Sequence, residues 1–188
     1  PDTEYRVDVR AGSDTARVSF RTLPEPRGRL KARFGVLPDL HLSRAPAFRE
    51  RAPRRAKRLY HLAKPLAAKY LKRLERLGVD GVVFPGDTLD PCDDYTIAQL
   101  RGLLNATSVP CHLLLGNHEA YGPYDEAAFC RLFGLPPHGY YSRTYDGVRL
   151  VLLSTPDQGS LRPEGAQFRW LRRELEGTPA GEDVVLFA

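Results

Sequence analysis

Three apolar stretches of this chain end abruptly in side chains that bind cations. Ala32-Arg33-Phe34-Gly35-Val36-Leu37 runs into Asp39-Leu40-His41, Val79 to Phe84 runs into Pro85-Gly86-Asp87, and His112 to Leu115 runs into Gly116-Asn117-His118-Glu119. Short apolar runs bounded by turn residues read as buried strands. In open α/β sheets, ligands gather at the carboxyl ends of the strands. Asp39, His41, Asp87, Asn117 and His118 are therefore expected in one crevice. They offer oxygen or imidazole nitrogen and no thiolate, which suits Mn, Fe, Zn or Ni better than a closed zinc–thiolate site. Each motif alone is weak. Asp-x-His recurs by chance, Gly-Asp after a strand is commonly a turn, and Asn117 alone reads as a turn residue that tolerates positive φ. The order of the three, each behind its own strand, is the specific signal.

The rest of the chain supplies a frame for that crevice. Tyr5-Arg6-Val7-Asp8-Val9 and Arg17-Val18-Ser19-Phe20-Arg21 alternate apolar with polar around the turn residues Gly12-Ser13-Asp14, the pattern of a hairpin with half-buried strands. Pro24, Pro26 and Gly28 then read as a break, so residues 1–28 are expected to be a hairpin and 29–188 the main domain. Leu59, Leu62, Leu66, Tyr70, Leu74 and Leu77 recur at helical spacing, with a kink or a break expected at Pro65 and a stop at Gly78. Asp93 is placed to cap a helix carrying Ile97, Leu100 and Leu104. Further helices are expected near Tyr124–Phe133 and Glu164–Leu175. Strands are expected at Tyr140–Thr144 and Arg149–Leu153 around the Asp146-Gly147 turn, and a final buried strand at Asp183–Phe187.

Composition narrows the setting. Cys92, Cys111 and Cys130 form no Cys-x-x-Cys pair, and an odd count excludes a complete disulfide framework. Reduced thiols point to a cytoplasmic setting, and a secreted origin stays open because the chain contains no Met and begins at Pro1. No apolar run is long enough to span a bilayer. The net charge of +5 is uneven: Arg44 to Arg76 holds twelve Lys or Arg against Glu50 and Glu75, a balance of +10. That segment reads as a solvated helix surface or as a face for phosphate-bearing partners, nucleic acid included.

The three motifs in this order resemble the calcineurin-like metallophosphoesterase superfamily. The segment Gln167-Phe168-Arg169-Trp170-Leu171 is similar to a helix motif of its cyclic-nucleotide phosphodiesterase-like branch, and the resemblance covers residues 32 to 188. It implies a layered αββα sandwich, here with the C-terminal part of the domain absent, preceded by the hairpin as a remnant of a fibronectin-like sandwich. It implies two divalent metal ions (Mn, Fe or Zn) and hydrolysis of a phosphoester, most naturally a small phosphodiester, by a metal-bridging hydroxide. It implies that Asp39 and His41 bind the first ion, Asp87 bridges both, Asn117 binds the second, and His118 faces the phosphate and assists the departing oxygen. The chemistry agrees. A carboxylate has enough lone pairs to bridge two cations, and histidine gains a proton near neutral pH, as a general acid must. Glu119 reads as a residue that orients His118 or the loop, or as an acid at a helix start.

Departures from the family pattern qualify these expectations. The family places further metal-binding histidines after the next strand and in a later Gly-His-x-His segment. Here that strand matches Val184-Val185-Leu186-Phe187-Ala188, where the sequence stops. His61 and His112 read as surface and structural residues, and His138 as one that could edge the site. Weak or partial metal binding and poor activity are therefore expected of the sequence as it stands. Purple acid phosphatases carry a metal-binding tyrosine three residues after the bridging Asp, and that position is Asp90 here, so an iron–tyrosinate site is not expected. Two rival readings remain at this stage, a nuclease of the same superfamily using the segment 44–76, and a non-catalytic module that keeps the fold and binds a partner.

Overall fold

A computed structural model of the chain describes residues 1–25, 27–43, 62–156 and 161–188. It contains two compact units, Pro1–Leu30 and Lys31–Ala188. In the first unit, β1 (Glu4–Ala11) and β2 (Asp14–Arg21) pair antiparallel across Gly12-Ser13, with Tyr5 opposite Phe20 and Val7 opposite Val18. Gly12 sits at φ +63°, a value that glycine tolerates without steric cost. The expected alternation is present, but both faces of the ribbon are exposed rather than half-buried. Cross-strand contacts hold it: Tyr5 stacks on Phe20 at 5.4 Å and Arg17 pairs with Asp8 at 2.7 Å.

The second unit runs β3 (Phe34–Val36), α1 (Ala63–Arg76), β4 (Gly81–Phe84), α2 (Asp94–Leu104), β5 (Cys111–Leu113), a 3₁₀ turn (His118–Ala120), α3 (Glu126–Phe133), β6 (Tyr141–Tyr145), β7 (Val148–Leu152), α4 (Ala166–Glu176) and β8 (Asp183–Phe187). One sheet has the order β3-β4-β5, all parallel. The other has the order β6-β7-β8, with β6 antiparallel and β8 parallel to β7.

The period-2 alternation of strand side chains sorts these elements into layers. Val82, Phe84, Leu113 and Leu115 pack with Ala67 and Leu71 of α1, Ile97, Leu100 and Leu103 of α2, and Phe129 and Cys130 of α3. Their neighbours Val83 and Leu114 face the other way and meet Tyr141, Val148, Leu150 and Leu152 of the second sheet. Val151 and Leu153 point out of its far side onto Leu171 and Trp170 of α4. The result is the expected αββα sandwich, each strand residue having a buried face to serve. Gln167 staples the outer helix down: its side-chain oxygen accepts from Ser154 N–H at 2.7 Å and its amide donates to Ser154 C=O at 2.8 Å.

Local signals explain the element ends. Asp93 caps α2 in a reciprocal capping box with Thr96. Val79 N–H reaches Leu74 C=O and Gly78 N–H reaches Glu75 C=O, the paired bonds of a Schellman motif with Gly78 at φ +63°. Asp146 and Gly147, at φ +43° and +75°, turn β6 into β7 as a two-residue loop with both residues left-handed should. Two expectations need correction. Pro65 does not kink a helix, because α1 begins at Ala63 and Pro65 falls in its first turn, where the missing N–H has no partner to lose. β8 is not buried: it pairs with β7 alone among the described residues, and Val184, Val185 and Leu186 remain 38–45% exposed. Leu59, His61 and the basic stretch 44–61, part of the expected nucleic-acid face 44–76, lie outside the described residues.

Candidate metal centre

Because β3, β4 and β5 are parallel, their carboxyl ends open on one side, and the three motifs follow there. Backbone bonds tie the first two loops together: His41 N–H to Asp87 C=O at 2.9 Å, Leu42 N–H to Thr88 C=O at 2.8 Å, and Asp90 N–H to Leu42 C=O at 2.9 Å. Asp39, His41 and Asp87 all hold left-handed backbone, at φ +51°, +44° and +49°. Each such non-glycine conformation costs on the order of 1–3 kcal/mol and persists only where its surroundings impose it.

Glu119 imposes that conformation on Asp87. Its carboxylate is fully buried and accepts four backbone N–H bonds, from Asp87 (3.0 Å), Thr88 (2.7 Å), Leu89 (3.1 Å) and Gly116 (2.8 Å). One side chain from the third motif thus fixes the loop of the second. Burial pushes the Glu119 carboxyl above the usual range, and the four N–H bonds pull against it. Four donors aimed at two oxygens make the group an acceptor. Gly116 is required by proximity, since a Cβ there would lie 2.6 Å from Asp87 N and against the Asp87 carboxylate.

With the loops so held, His41, Asp87 and His118 converge: one potential ligand atom from each lies within 4.8 Å of the other two. The two imidazoles meet edge to face at 4.5 Å, and His118 N–H on the backbone donates to Asp87 Oδ1 at 3.1 Å. Asp39 stands beside this group, its Oδ1 3.8 Å from His41 Nε2, without joining the mutual cluster. Asn117 is exposed, and its amide nitrogen donates to Tyr121 Oη at 3.0 Å, which leaves the amide oxygen as its metal-binding atom.

Two residues enter the site unannounced by the motifs. Asp90 lies between the imidazoles, its Oδ1 3.3 Å from His118 Nδ1 and its Oδ2 3.8 Å from His41 Nδ1. The signal was its spacing, three residues after Asp87, weighed above only as the place of an absent tyrosine. Tyr121 packs its ring on His118 at 4.9 Å. His118 Nδ1 is buried without a hydrogen bond, close to Asp90 but not aligned with it. His138 lines a cavity of about 350 Å³ with Leu115 and Ala120, the residues flanking the Gly116–Glu119 turn. His112 is a core residue instead, bonded through Nε2 to Tyr145 Oη at 2.6 Å. All three cysteines are free, and burial pushes the Cys92 and Cys111 thiols up to about 11. The His41 imidazole, the bridging-capable Asp87 carboxylate and the neighbouring Asp39 carboxylate and Asn117 amide oxygen fit a divalent cation of borderline softness, with the His118 ring beside them, and the donor set contains no thiolate that would favour a closed structural zinc site.

Comparisons with known proteins agree with this geometry. The family model for calcineurin-like phosphoesterases matches residues 32–185. A dimetal phosphatase from Danio rerio aligns with a TM-score of 0.58 at 17% identity, over 82% of this chain and 68% of its own. A purple acid phosphatase from yellow lupin (Lupinus luteus) seeds aligns with a TM-score of 0.57 at 16% identity, over 97% of this chain. The chain spans 35% of the lupin protein's length. No curated protein sequence matches the chain. At these identities the structural likenesses speak for the fold alone, whereas the family match covers β3 to β7, the start of β8 and the three motif loops. The chain belongs to the calcineurin-like phosphoesterase family.

Proposed function

We propose that this protein hydrolyses small phosphodiesters at the centre formed by Asp39, His41, Asp87, Asn117 and His118. The observation that carries the reading is the convergence of His41, Asp87 and His118 behind three parallel strands, locked by Glu119. Asp39, His41, Asp87 and Asn117 would hold two divalent cations. Such ions would supply Lewis acidity to phosphoryl oxygens and make water a better nucleophile.

The chain's own groups do the remaining work. Water adds its oxygen to phosphorus and gives up one proton to solvent, the ester P–O bond breaks, and the departing alkoxide takes a proton from His118, which regains one from solvent. Asp90, with Oδ1 3.3 Å from His118 Nδ1, would orient the ring for that transfer. Tyr121 limits ring movement from the other side and orients Asn117. The preference for diesters rests on the likeness of residues 167–171 to the cyclic-nucleotide phosphodiesterase-like branch.

The test compares bis-p-nitrophenyl phosphate with p-nitrophenyl phosphate in Mn-supplemented and chelator-treated protein. Metal-dependent turnover that favours the diester supports the proposal. Turnover of the monoester alone would remove the diester assignment, and turnover unaffected by chelation would remove the metal centre.

A further inference from the structure

The exposed side of α1 is unlike the solvent face of an ordinary surface helix. Leu62, Leu66, Tyr70 and Leu77 are 43–51% exposed. Steps of four, four and seven residues place them on one stripe, beside the buried stripe of Ala67 and Leu71 rather than within it. At 1.5 Å per residue this second stripe is about 22 Å long.

Cations stand along it. Lys69 and Arg73 fall within the stripe by spacing and Arg76 lies at its edge, while Lys64 and Lys72 fall on other sides of the helix. Lys69 and Arg73 make no ion pair among the described residues. The single acid of the helix is engaged elsewhere, since Glu75 accepts from both the N–H and the hydroxyl of Ser108. At the C-terminal end, Arg73, Arg76 and Leu77 line a shallow cavity of about 320 Å³. Two guanidiniums beside a leucine suit an anionic group that carries apolar substance with it.

Charge alone would admit a nucleic acid, but a phosphate–sugar backbone offers nothing to three half-exposed leucines. A lipid interface offers both parts, phosphate to the Lys and Arg heads and the acyl boundary to Leu and Tyr. Among the described residues no helix is long and apolar enough to cross a membrane, so contact through this helix would be peripheral. We propose that the exposed face of α1 docks the protein on an anionic phospholipid surface, with the helix lying in the headgroup plane.

The test is co-sedimentation of the purified protein with vesicles of phosphatidylcholine, and of phosphatidylcholine mixed with phosphatidylserine. Binding is expected for the mixed vesicles only. Each cation near such a surface contributes about 1 kcal/mol, so Arg73→Gln with Arg76→Gln should lower partitioning about thirtyfold. Leu66→Ser with Tyr70→Ser should lower it about tenfold at unchanged charge. Both double variants should keep the wild-type melting transition, which separates lost docking from lost fold. Equal binding to neutral vesicles, no binding to either kind, or unchanged binding by both variants would overturn the proposal. So would a DNA or RNA duplex that displaces the protein from the vesicles and binds the serine variant as well as wild type.

Discussion

Glu119 Oε2 accepts the backbone N–H of Asp87 at 3.0 Å, so the third motif of the sequence sets the backbone of the second. The same carboxylate takes three more N–H groups. Glu119→Gln is nearly isosteric but turns an N–H₂ toward donors. Leaving buried donors unpaired costs about 1–3 kcal/mol. The variant is expected to lose stability in that range in urea titrations and to lower metal content, because Asp87 relaxes from its left-handed conformation. A variant of wild-type stability and metal content would deny Glu119 its role.

Asp90 and His118 are expected to divide one task unequally. His118→Ala should lower kcat by about 10²–10⁴-fold, the usual range for a lost general acid. Metal content should stay near that of wild type if Asp39, His41, Asp87 and Asn117 hold the ions. Asp90→Asn should cause a smaller loss in kcat with little change in KM. Single-turnover kinetics and metal analysis on the same samples check both. Loss of metal in His118→Ala would make His118 a ligand instead.

His112 predicts a pH dependence of stability away from the metal centre. Burial, aided by Arg143, holds its pKa below the usual value. The folded protein therefore disfavours the proton that an unfolded chain accepts near about pH 6.5. The neutral ring's contribution is complete above that pH and is lost as pH falls through it toward the lower folded value. Urea midpoints should drop between about pH 7 and about pH 5, and His112→Gln should flatten that slope. An identical slope in the variant would assign it to other groups.

Layer position should decide the cost of core truncation. Leu114 is fully buried between the two sheets. Leu114→Ala is expected to cost about 2–5 kcal/mol through lost burial and the cavity left behind. Leu186→Ala, on the 45% exposed edge strand, should cost well under half of that. Denaturant titrations of the two variants give the comparison directly, and equal costs would contradict the layer assignment.

Much of this was legible before the fold was known, and for a common reason. Strand ends, the Asp93 cap, the Gly78 stop and the Asp146-Gly147 turn are set by interactions within a few residues. The convergence of His41, Asp87 and His118 was legible because each follows its own strand, and their roles are proposed. What escaped depends on partners remote in sequence. Glu119 is read from the sequence as orienting its own loop, but its bonds reach back about thirty residues to Asp87, Thr88 and Leu89, and nothing near it announces those partners. Asp90 matters because two imidazoles from other loops arrive beside it. The apolar pattern of β8 predicts burial, yet burial needs a neighbour on each side, and β7 supplies one. Pro65 looked disruptive because the helix was read as starting earlier; its effect depends on which turn it occupies.

The proposed role of the strand-end cluster around Asp87 as a metal-dependent phosphoesterase centre is tested most directly by measuring bound metal and bis-p-nitrophenyl phosphate hydrolysis together, in wild type and in Asp87→Ala. The variant is expected to lose bound metal and hydrolysis in parallel while keeping its fold by circular dichroism. Hydrolysis retained at the wild-type rate in Asp87→Ala, or metal retained at the wild-type stoichiometry, would contradict it.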